Sequence, residues 1–594
     1  MRDKSCRWIP VILMLFATAM ASAQERPRKK LIEYGWDVPY PDYIREHIQD
    51  MVKLPFDGLI FRLREQNHAF DPRPWDETQL AAQFRDLEAI QWGTFTDNFL
   101  VLYAANNWGM DWFSDPQWTG IVHNLAISAK AARLGRCVGI CFDPEPYGPN
   151  PWQYQGGAGK PTYAQVAAKV RQRGAQFMAA LQSELPEVRI LSFFQLNLFA
   201  ALANDPEPAS RDAKLAQQGW GLLVPFVDGM LEVANPGARL IDGNESAYYY
   251  PGSEPFYRAY HAMKQTCLAL VNPANRAKYP LIAQAGMAIY VDGVLGINKL
   301  VPPATDLSPA DRLRFLEHNT YYSMVTADEY AWCYSEKMDW YKGPVPEGAE
   351  AAIRSARDKA RRNAGLGFDL APVVAAAKAK QTERLNARVK PRTATLKPMA
   401  AGEAAPQLDG DLADPLWQHV GTLDPFLLTA SSDTETPAAA TAARIAFDDQ
   451  ALYLAFRCTE PKTGDLKAAG AAKDDPIWEG DVVEVFVSLG EAPTPYRHFI
   501  VNPRNVQWDG QSGEDADDVS WNATWQSATK VADDTWTVEV RIPWEALGGR
   551  PKAGSVRRAN LCRQRTPQPE LSTWSVTVRG FCEPERFGTC TFAE

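Results

Sequence analysis

Two carboxylates lie one residue apart in the segment CFDPEPYGPNPW, residues 141–152, and a proline follows each of them. A residue that precedes proline is pushed toward extended backbone, and in an extended chain positions i and i+2 point to the same side. Asp143 and Glu145 are therefore predicted to present two carboxylates in one direction, with Trp152 close by. Such a pair suits acid–base or nucleophilic chemistry, and an ion pair with Arg62 or Arg64 is the alternative role.

Eight strand-like segments alternate with amphipathic helical segments between Lys30 and about Asn363. The strand candidates are KLIEYGWD (30–37), FDGLIFRL (56–63), FLVLYA (99–104), CVGICFDPE (137–145), RILSFFQLN (189–197), ARLIDG (238–243), LIAQAGMA (281–288) and DEYAWCYSE (328–336). This eightfold alternation predicts a (β/α)8 barrel. An open doubly wound sheet is the alternative, but no GxGxxG motif follows the first strand.

The alternation of residues within these strands predicts which side chains point into the barrel. In the fourth strand Val138, Ile140 and Phe142 form an apolar set suited to the helix layer, so the other set, which ends in acids, points inward. The carboxyl ends of barrel strands carry the active sites of barrel enzymes. Three acids are predicted to be catalytic: Asp143, Glu145 and Glu245. Six more residues at or near strand ends are predicted to contact substrate: Trp36, Asp37, Arg62, Trp152, Asp242 and Glu336.

The first residues, MRDKSCRWIPVILMLFATAMASAQ, combine a basic start, an apolar run and the small-residue site Ala21-Ser22-Ala23. This pattern predicts a secretory signal peptide over residues 1–23 and a secreted or periplasmic protein, because the apolar run is too short for a good membrane span. Its removal changes the net charge from −10 to −12, since three basic residues and one acidic residue leave. An acidic chain without basic runs argues against nucleic acid and anionic membranes as partners.

The composition and the hydrophobic pattern of the sequence change after the predicted barrel. Residues 364–401 combine an Ala-rich helical segment with a Pro-, Thr- and Lys-containing stretch, which predicts a linker. Beyond it, strand patterns separated by turn residues predict a β-sandwich over 402–594, and the barrel itself is assigned to 24–363. The strand patterns are RIAFDD, ALYLAFRC, DVVEVFVSL, HFIVNP, WTVEVRIP and TWSVTV.

The segment 402–594 also resembles the family 9 carbohydrate-binding modules and their relatives. The matching motifs are LDGDLADPLW (408–417), FDDQALYLAF (447–456), IWEGDVVEVFV (477–487), HFIVNP (498–503), WTVEVRIPWEAL (536–547) and ERFG (585–588). The resemblance implies a β-sandwich that holds the end of a polysaccharide between two aromatic rings. Trp478 matches one ring, Glu484 and Asn502 match polar sugar contacts, and Phe581 stands near the second ring, where better-studied members have Trp. Ile500 replaces an Arg that binds the sugar in those members.

The sequence lacks the common motifs of catalytic metal sites. No CxxC, no HExxH and no His pair at ligand spacing occurs, so the sequence predicts no catalytic metal and no required cofactor. The acidic run EDADD, residues 514–518, is a candidate for structural calcium in the C-terminal module. A solvated loop is the alternative role for this run.

Export, a barrel with inward acids and a sugar module together indicate a glycoside hydrolase acting on a poly- or oligosaccharide. Three carboxylate arrangements stay open. Many retaining barrel glycosidases place their pair after strands four and seven, but here only Asp292 lies near the latter. In a second arrangement Asp143, after strand four, is the nucleophile and Glu245 is the proton donor. In a third, Glu145 is the acid and the substrate's own acetamido group attacks. A non-catalytic glycan-binding protein and a polysaccharide lyase are the rival functions, and the sequence does not predict the oligomeric state.

Overall fold

The computed structural model describes residues 29–36, 38–104, 109–157, 159–298, 301–388, 390–429, 436–512, 517–566, 570–578 and 580–594. The predicted signal peptide, Asp37 and residues 514–516 of the acidic run lie outside these ranges. The chain divides into two compact units, one ending at Gln381 and one beginning at Thr382.

The described part of the first unit contains a sheet of nine parallel strands. They are β1 (Lys30–Gly35), β2 (Gly58–Phe61), β3 (Phe99–Tyr103), β4 (Gly139–Asp143), β5 (Arg189–Ser192), β6 (Arg239–Asp242), β7 (Ala283–Ala285), β8 (Met287–Tyr290) and β9 (Tyr330–Ser335). Their order is β7-β6-β5-β4-β3-β2-β1-β9-β8. Each of the eight predicted strand segments contains at least one of them, and the (β/α)8 prediction is confirmed.

The seventh predicted strand is divided into β7 and β8. These two consecutive strands are the first and the last in the strand order of the sheet. β7 pairs with β6, whereas β8 pairs with β9. Gly286 separates the two halves, and its amide donates to the Asp242 carbonyl at 2.7 Å. A Cβ at this position would lie 3.0 Å from that carbonyl oxygen, so the close approach favours glycine.

Helices follow most of the strands. They are α1 (Pro41–Met51), α2 (Ala81–Ala89), α3 (Asp115–Leu134), α4 (Tyr163–Gln182), α5 (Ala200–Ala203), α6 (Pro208–Gln217), α7 (Leu223–Val233), α8 (Glu254–Lys264), α9 (Tyr279–Ile282), α10 (Val291–Val294), α11 (Pro302–Thr305), α12 (Pro309–Thr326), α13 (Ala349–Arg361) and α14 (Ala371–Arg388). Local signals define where the long ones begin: Ser114 and Ser308 cap α3 and α12, and Thr162 forms a capping box with Gln165 at α4. None of the described helices combines the length and the hydropathy that spanning a bilayer requires.

Strand parity divides the barrel side chains as the sequence predicts. Phe142 points outward from β4 and packs against Phe177 of α4 and Phe226 of α7, with ring centroids 5.3 and 6.1 Å apart. Burying a side chain of this kind stabilises the fold by roughly 1.5–3 kcal/mol. Asp143, the next residue, is buried on the opposite side of β4. The apolar set therefore fixes the strand against its helices and leaves the acidic set for the interior.

The second unit is a two-sheet β-sandwich. One sheet has the order β10-β23-β21-β15-β16-β17-β18, with β22 and β12 continuing from β21, and the other has the order β11-β13-β14-β20-β19. Their bounds are β10 (Thr393–Leu396), β11 (Thr422–Leu423), β12 (Leu427–Leu428), β13 (Thr441–Phe447), β14 (Ala451–Thr459), β15 (Val482–Ser488), β16 (Tyr496–Val501), β17 (Gln507–Ser512), β18 (Asp517–Asp518), β19 (Gln526–Val531), β20 (Thr535–Pro543), β21 (Val556–Arg565), β22 (Glu570–Thr573) and β23 (Gly588–Phe592), with one helix, α15 (Pro415–His419). Residues of both sheets form its main core.

Part of the predicted linker belongs to the sandwich. The Ala-rich helix is present as α14, but residues 393–396 form β10, which pairs in parallel with β23. The reason is the alternation in TATL, which places Leu396 in the core of the sandwich, where it is 5% exposed. The start of the sandwich therefore lies before residue 402, the boundary that composition suggested.

Candidate functional site

Glu145 and Glu245 face one cavity of about 430 Å³. Glu145 follows β4 and Glu245 follows β6, so both lie at the carboxyl ends of barrel strands. The walls of the cavity are largely aromatic: Phe194, Phe199, Trp220, Tyr248 and Tyr249. Among the described residues that line it there is no Lys or Arg. The cavity therefore combines two acids with rings on which a neutral or cationic ligand can stack.

A cavity of similar volume, about 410 Å³, lies among α4, α6 and α7, away from the strand ends. Of its two acids, Asp228 pairs with Arg171 at 3.0 Å. Since that carboxylate is already neutralised by a guanidinium, this second cavity does not present a pair of acids to a ligand.

Glu145 is positioned by the short segment that follows β4. Its backbone amide donates to Asp143 Oδ1 at 2.9 Å, and the Tyr147 hydroxyl donates to its Oε2. The indole Nε1 of Trp152 donates to the Pro144 carbonyl at 2.7 Å and fixes the backbone between the two acids. These hydrogen bonds from Tyr147 and Trp152 hold the segment that carries Glu145.

Asp143 does not face the cavity, although the sequence predicts that it points the same way as Glu145. It is 1% exposed, because β4 ends at Asp143 and the alternation of the strand does not extend to Glu145. Burial and, after it, the negative charges of Glu145 and Glu245 raise its pKa well above the usual range. Asp143 accepts the hydrogen bond from the Glu145 amide, so its contact with the cavity is indirect, and we expect it to position Glu145 instead of reacting with substrate.

Glu245 begins a 3₁₀ turn, Glu245–Tyr249, directly after β6. The residue before it, Asn244, has φ 45°, a left-handed conformation that Asn tolerates better than most residues. The Glu245 amide donates to the Phe193 carbonyl at 3.0 Å, which ties the turn to the end of β5. This sharp turn directs the Glu245 side chain to the cavity instead of along the strand.

Asp242 positions the loops that surround Glu245. Its Oδ2 accepts from the Asn197 amide at 2.8 Å and its Oδ1 from the Asn244 amide at 3.2 Å. Burial raises its pKa to about 6, against the lowering effect of these amides. Since Asp242 is 5% exposed and both oxygens are occupied, the predicted substrate contact is corrected to a structural role.

Both acids that line the cavity have raised pKa values. Burial and the charge of Glu145 raise the pKa of Glu245 to about 7, and burial raises the pKa of Glu145. Within the described residues neither acid forms an ion pair. The alternative of a structural ion pair is not observed: Arg62 donates to the Tyr40 hydroxyl at 2.9 Å, and Arg64 pairs with Asp42.

A third carboxylate, Glu336, follows β9 on the same side of the barrel. The Tyr290 hydroxyl donates to Glu336 Oε2 and, as the largest cause, lowers the pKa of Glu336; Lys337 Nζ lies 3.3 Å from Oε1. Burial and then the charges of Glu245, Glu145 and Glu336 raise the pKa of Tyr249, which places this ring within the field of all three acids.

Two of the remaining predicted contacts have clear outcomes. Trp36 is 69% exposed, with the Lys337 ammonium 5.7 Å from its ring centroid, so its indole is accessible. Trp152 is fully buried and packs on Phe70 and Phe226. A ring with no exposed surface has no face for a ligand, and the predicted substrate contact of Trp152 is therefore corrected to anchoring the segment after β4.

Sequence reasoning missed the aromatic walls of the cavity. Tyr248 and Tyr249 belong to the run YYY, residues 248–250, which lies three residues after Glu245 in the segment that follows β6, and this position was an available signal. Tyr248 stacks on Tyr334 at 5.5 Å and 17°, and Trp332 stacks on Phe193 at 4.5 Å and 14°. Trp220 and Phe194 come from separate loops, and no local pattern connects them.

In the sandwich, Trp478 presents part of its ring to solvent. It is 42% exposed and lies edge-to-face with the buried Trp508, at 5.7 Å and 84°. Its main-chain carbonyl accepts from Gln564 Nε2. The indole is thus held in place by a second ring and its backbone, with one side free.

The other predicted module contacts are buried. Asn502 is fully buried, donates to the Ala469 carbonyl at 2.7 Å and accepts from the amides of Arg504 and Val506. Phe581 is 8% exposed and packs in a cluster with Phe486 and Phe587. Because both side chains are committed to the fold, the predicted sugar contacts of Asn502 and Phe581 are corrected to structural ones.

Glu484 is 5% exposed and joins a buried row of polar groups. His498 lies between two carboxylates, with Nε2 2.8 Å from Glu484 Oε2 and Nδ1 2.6 Å from Asp517 Oδ2. Burial alone would lower the pKa of His498, but the hydrogen bonds to Asp517 and Glu484 raise it. Of the acidic run that was a calcium candidate, Asp517 is engaged here and Asp518 accepts from Ser520 and Gln511.

Comparisons with known proteins agree with this division of the chain. Residues 408–594 match the family model described as Carbohydrate family 9 binding domain-like. An extracellular protein of Arthroderma benhamiae is 26% identical over 162 residues, which cover 24% of this chain and 72% of that protein.

Two solved structures are each similar to part of this chain. A family 9 carbohydrate binding module from Caldicellulosiruptor kristjanssonii, in complex with cellotriose, is 19% identical, covers 34% of this chain and 94% of its own, and has a TM-score of 0.25. An endo-β-1,4-glucanase from Xanthomonas axonopodis pv. citri is 12% identical, covers 57% of this chain and 100% of its own, and has a TM-score of 0.32. At these identities the barrel site is interpreted from its own geometry.

The fold and the site define a two-domain protein: a (β/α)8 barrel with carboxylates at its carboxyl face, followed by a β-sandwich. Residues 408–594 form a family 9-like carbohydrate-binding domain, and the expected resemblance is confirmed.

Proposed function

We propose that this protein is a secreted glycoside hydrolase whose barrel cleaves a glycosidic bond and whose C-terminal domain binds carbohydrate. The observation that carries the proposal is the pair Glu145 and Glu245, which share one aromatic-walled cavity at the strand ends, with raised pKa values and no ion-pair partner among the described residues. Glycosidic cleavage commonly uses two carboxyl groups that flank the scissile bond, one protonated and one ionised.

The environments of the two acids assign their roles. Glu245, with a pKa raised to about 7, is protonated in a large fraction of molecules near neutral pH and donates its proton to the leaving oxygen as the C1–O bond breaks. Glu145 accepts a hydrogen bond from Tyr147, which favours its ionised form, and acts as nucleophile at C1 or as base toward water. Of the arrangements that the sequence left open, this assignment shares the Glu245 donor of the second and differs from the third, in which Glu145 is the acid.

The walls of the cavity favour a neutral sugar or a cationic one. Aromatic faces cover the apolar C–H face of a pyranose, and Tyr249 and Trp220 are placed to do so. A polysaccharide lyase, the rival enzyme, needs a cation to neutralise the carboxylate of a uronic acid, and no Lys or Arg is among the described lining residues. The lining therefore favours hydrolysis over elimination.

Secretion is supported by the basic and apolar start of the chain and by the likeness of part of it to an extracellular protein. The extracellular or periplasmic location suits a polysaccharide substrate, which does not cross a membrane intact.

A panel of soluble and insoluble glycans, with release of reducing ends as the readout, tests the proposal. The wild-type protein should hydrolyse at least one substrate, and Glu145→Gln and Glu245→Gln should each lower turnover by roughly 10²-fold or more. Glu254→Gln is the matched control, since Glu254 is exposed on α8 and pairs with Arg258. Glycan binding without hydrolysis of any substrate would instead establish the rival function, a non-catalytic glycan-binding protein.

A further inference from the structure

His498, Asp517 and Cys582 converge in the sandwich although they come from three separate segments. His498 lies in β16, Asp517 begins β18, and Cys582 precedes the 3₁₀ turn Pro584–Arg586. One potential ligand atom from each, a ring nitrogen, a carboxylate oxygen and a sulfur, lies within 4.8 Å of the others. The proposed barrel chemistry uses none of these residues.

We propose that His498 Nδ1, an oxygen of Asp517 and Cys582 Sγ form a zinc-binding site. Zinc takes nitrogen, oxygen and sulfur ligands, and bond lengths of about 2.0–2.3 Å in a tetrahedron place the donor atoms about 3.3–3.8 Å apart. The observed separations reach this range with small side-chain shifts. The mixture of a soft sulfur, an imidazole and one carboxylate distinguishes the site from a calcium site, which uses oxygen alone.

Glu484 supplies the outer support that a zinc histidine normally has. It accepts a hydrogen bond from His498 Nε2 at 2.8 Å, so the ring is held with Nδ1 toward Asp517 and Cys582. Ligating histidines usually donate their other N–H to a carboxylate in this way. Phe486 stacks on the His498 ring at 3.9 Å and 21° and fixes its plane.

The remaining neighbours of the zinc site define its shape. The Tyr496 hydroxyl donates to Asp517 Oδ1 at 2.6 Å and orients that carboxylate. His498 is 5% exposed, whereas Cys582 is exposed, so the site is closed on the histidine side and open on the cysteine side. A metal ion can enter from that side, and water can occupy the fourth position.

Zinc binding must replace the hydrogen bond between His498 Nδ1 and Asp517, whose atoms lie 2.6 Å apart. Zinc replaces the proton on Nδ1 and the proton on Sγ, and both protons go to solvent. Binding is therefore weaker at low pH, as for other histidine and thiolate sites.

The test uses the full-length, untagged protein after removal of metal with a chelator. Titration with Zn²⁺ against a chromophoric chelator should show one tight equivalent per chain. Glu484→Gln, which alters the outer partner of His498, should weaken zinc binding by ~10–100-fold. Cys582→Ser and Asp517→Asn, which each remove a ligand, should weaken it by more than that. Cobalt in place of zinc should give sulfur-to-metal charge-transfer absorption that Cys582→Ser abolishes.

Asp518→Asn is the matched control, because Asp518 is the adjacent acid and accepts from Ser520 and Gln511 instead. It should keep wild-type zinc affinity. If Asp517→Asn fails to fold, as judged by its circular dichroism, Cys582→Ser decides, since Cys582 is an exposed residue and the change replaces only its sulfur by oxygen. Absence of a tight equivalent in the wild type, or wild-type affinity and unchanged cobalt absorption in Cys582→Ser, would overturn the zinc site.

Discussion

Glu245 and Glu145 share one cavity but differ in their surroundings, and this difference has a kinetic consequence. A proton donor matters most when the leaving group is poor, whereas a nucleophile or base matters for every substrate. Glu245→Gln should therefore lose roughly 10²-fold or more on a natural glycoside and much less on a nitrophenyl glycoside. Glu145→Gln should lose activity on both, as measured by kcat/KM. The reverse pattern would assign the donor role to Glu145.

The pH dependence of activity follows from the same pair. Burial and the neighbouring charge of Glu145 raise the pKa of Glu245 to about 7, so the protonated form that donates is lost as pH rises through that value. We expect kcat/KM to fall on the alkaline side with an apparent pKa near 7. A profile that stays flat from about pH 6 to about pH 8 would exclude Glu245 as the donor.

Of the two aromatic rings predicted to hold sugar in the sandwich, Trp478 is exposed and Phe581 is buried. In a full-length Glu145→Gln background, Trp478→Ala should weaken retention on an insoluble polysaccharide, because the half-exposed ring is lost. Val531→Ala, a change at another exposed apolar side chain of the sandwich, is the control. Equal retention of both variants would show that sugar binding does not use this ring.

At the scale of elements, the turn after β6 decides where Glu245 points. Asn244 adopts φ 45° there, and its Oδ1 accepts from Asn197 Nδ2 at 2.9 Å. Asn244→Gly and Asn244→Ala both lose that side-chain bond, but only alanine opposes the left-handed backbone. Asn244→Ala should therefore be less stable than Asn244→Gly by about 1–2 kcal/mol in denaturant unfolding and should be the less active variant. Equal stabilities would show that the turn does not depend on this conformation.

At the scale of the whole molecule, the two units should be separable. Each has its own hydrophobic core, and α14 ends at Arg388 shortly before β10 begins. Mild proteolysis between residues 364 and 392 should release two fragments that each unfold cooperatively. Fragments that lose their structure on separation would show that neither unit folds without the other.

The sequence by itself determined the architecture, because strand alternation, helix periodicity and capping residues are local. The eight strand segments, the outward Phe142 and the inward Asp143 all follow from the period of the backbone. The sandwich was evident from strand patterns and from motifs spread along residues 408–594. Glu145 and Glu245 were recognisable as acids that follow strand ends.

Only the tertiary structure decided which of these side chains meet and which are covered. Asp143, Asp242 and Trp152 are buried, and the sequence pattern at a strand end carries no information about their burial. The cavity shared by Glu145 and Glu245, and the cluster around His498, join segments distant along the chain. Their chemistry depends on separation and burial, which are set by packing between elements and not by spacing within one.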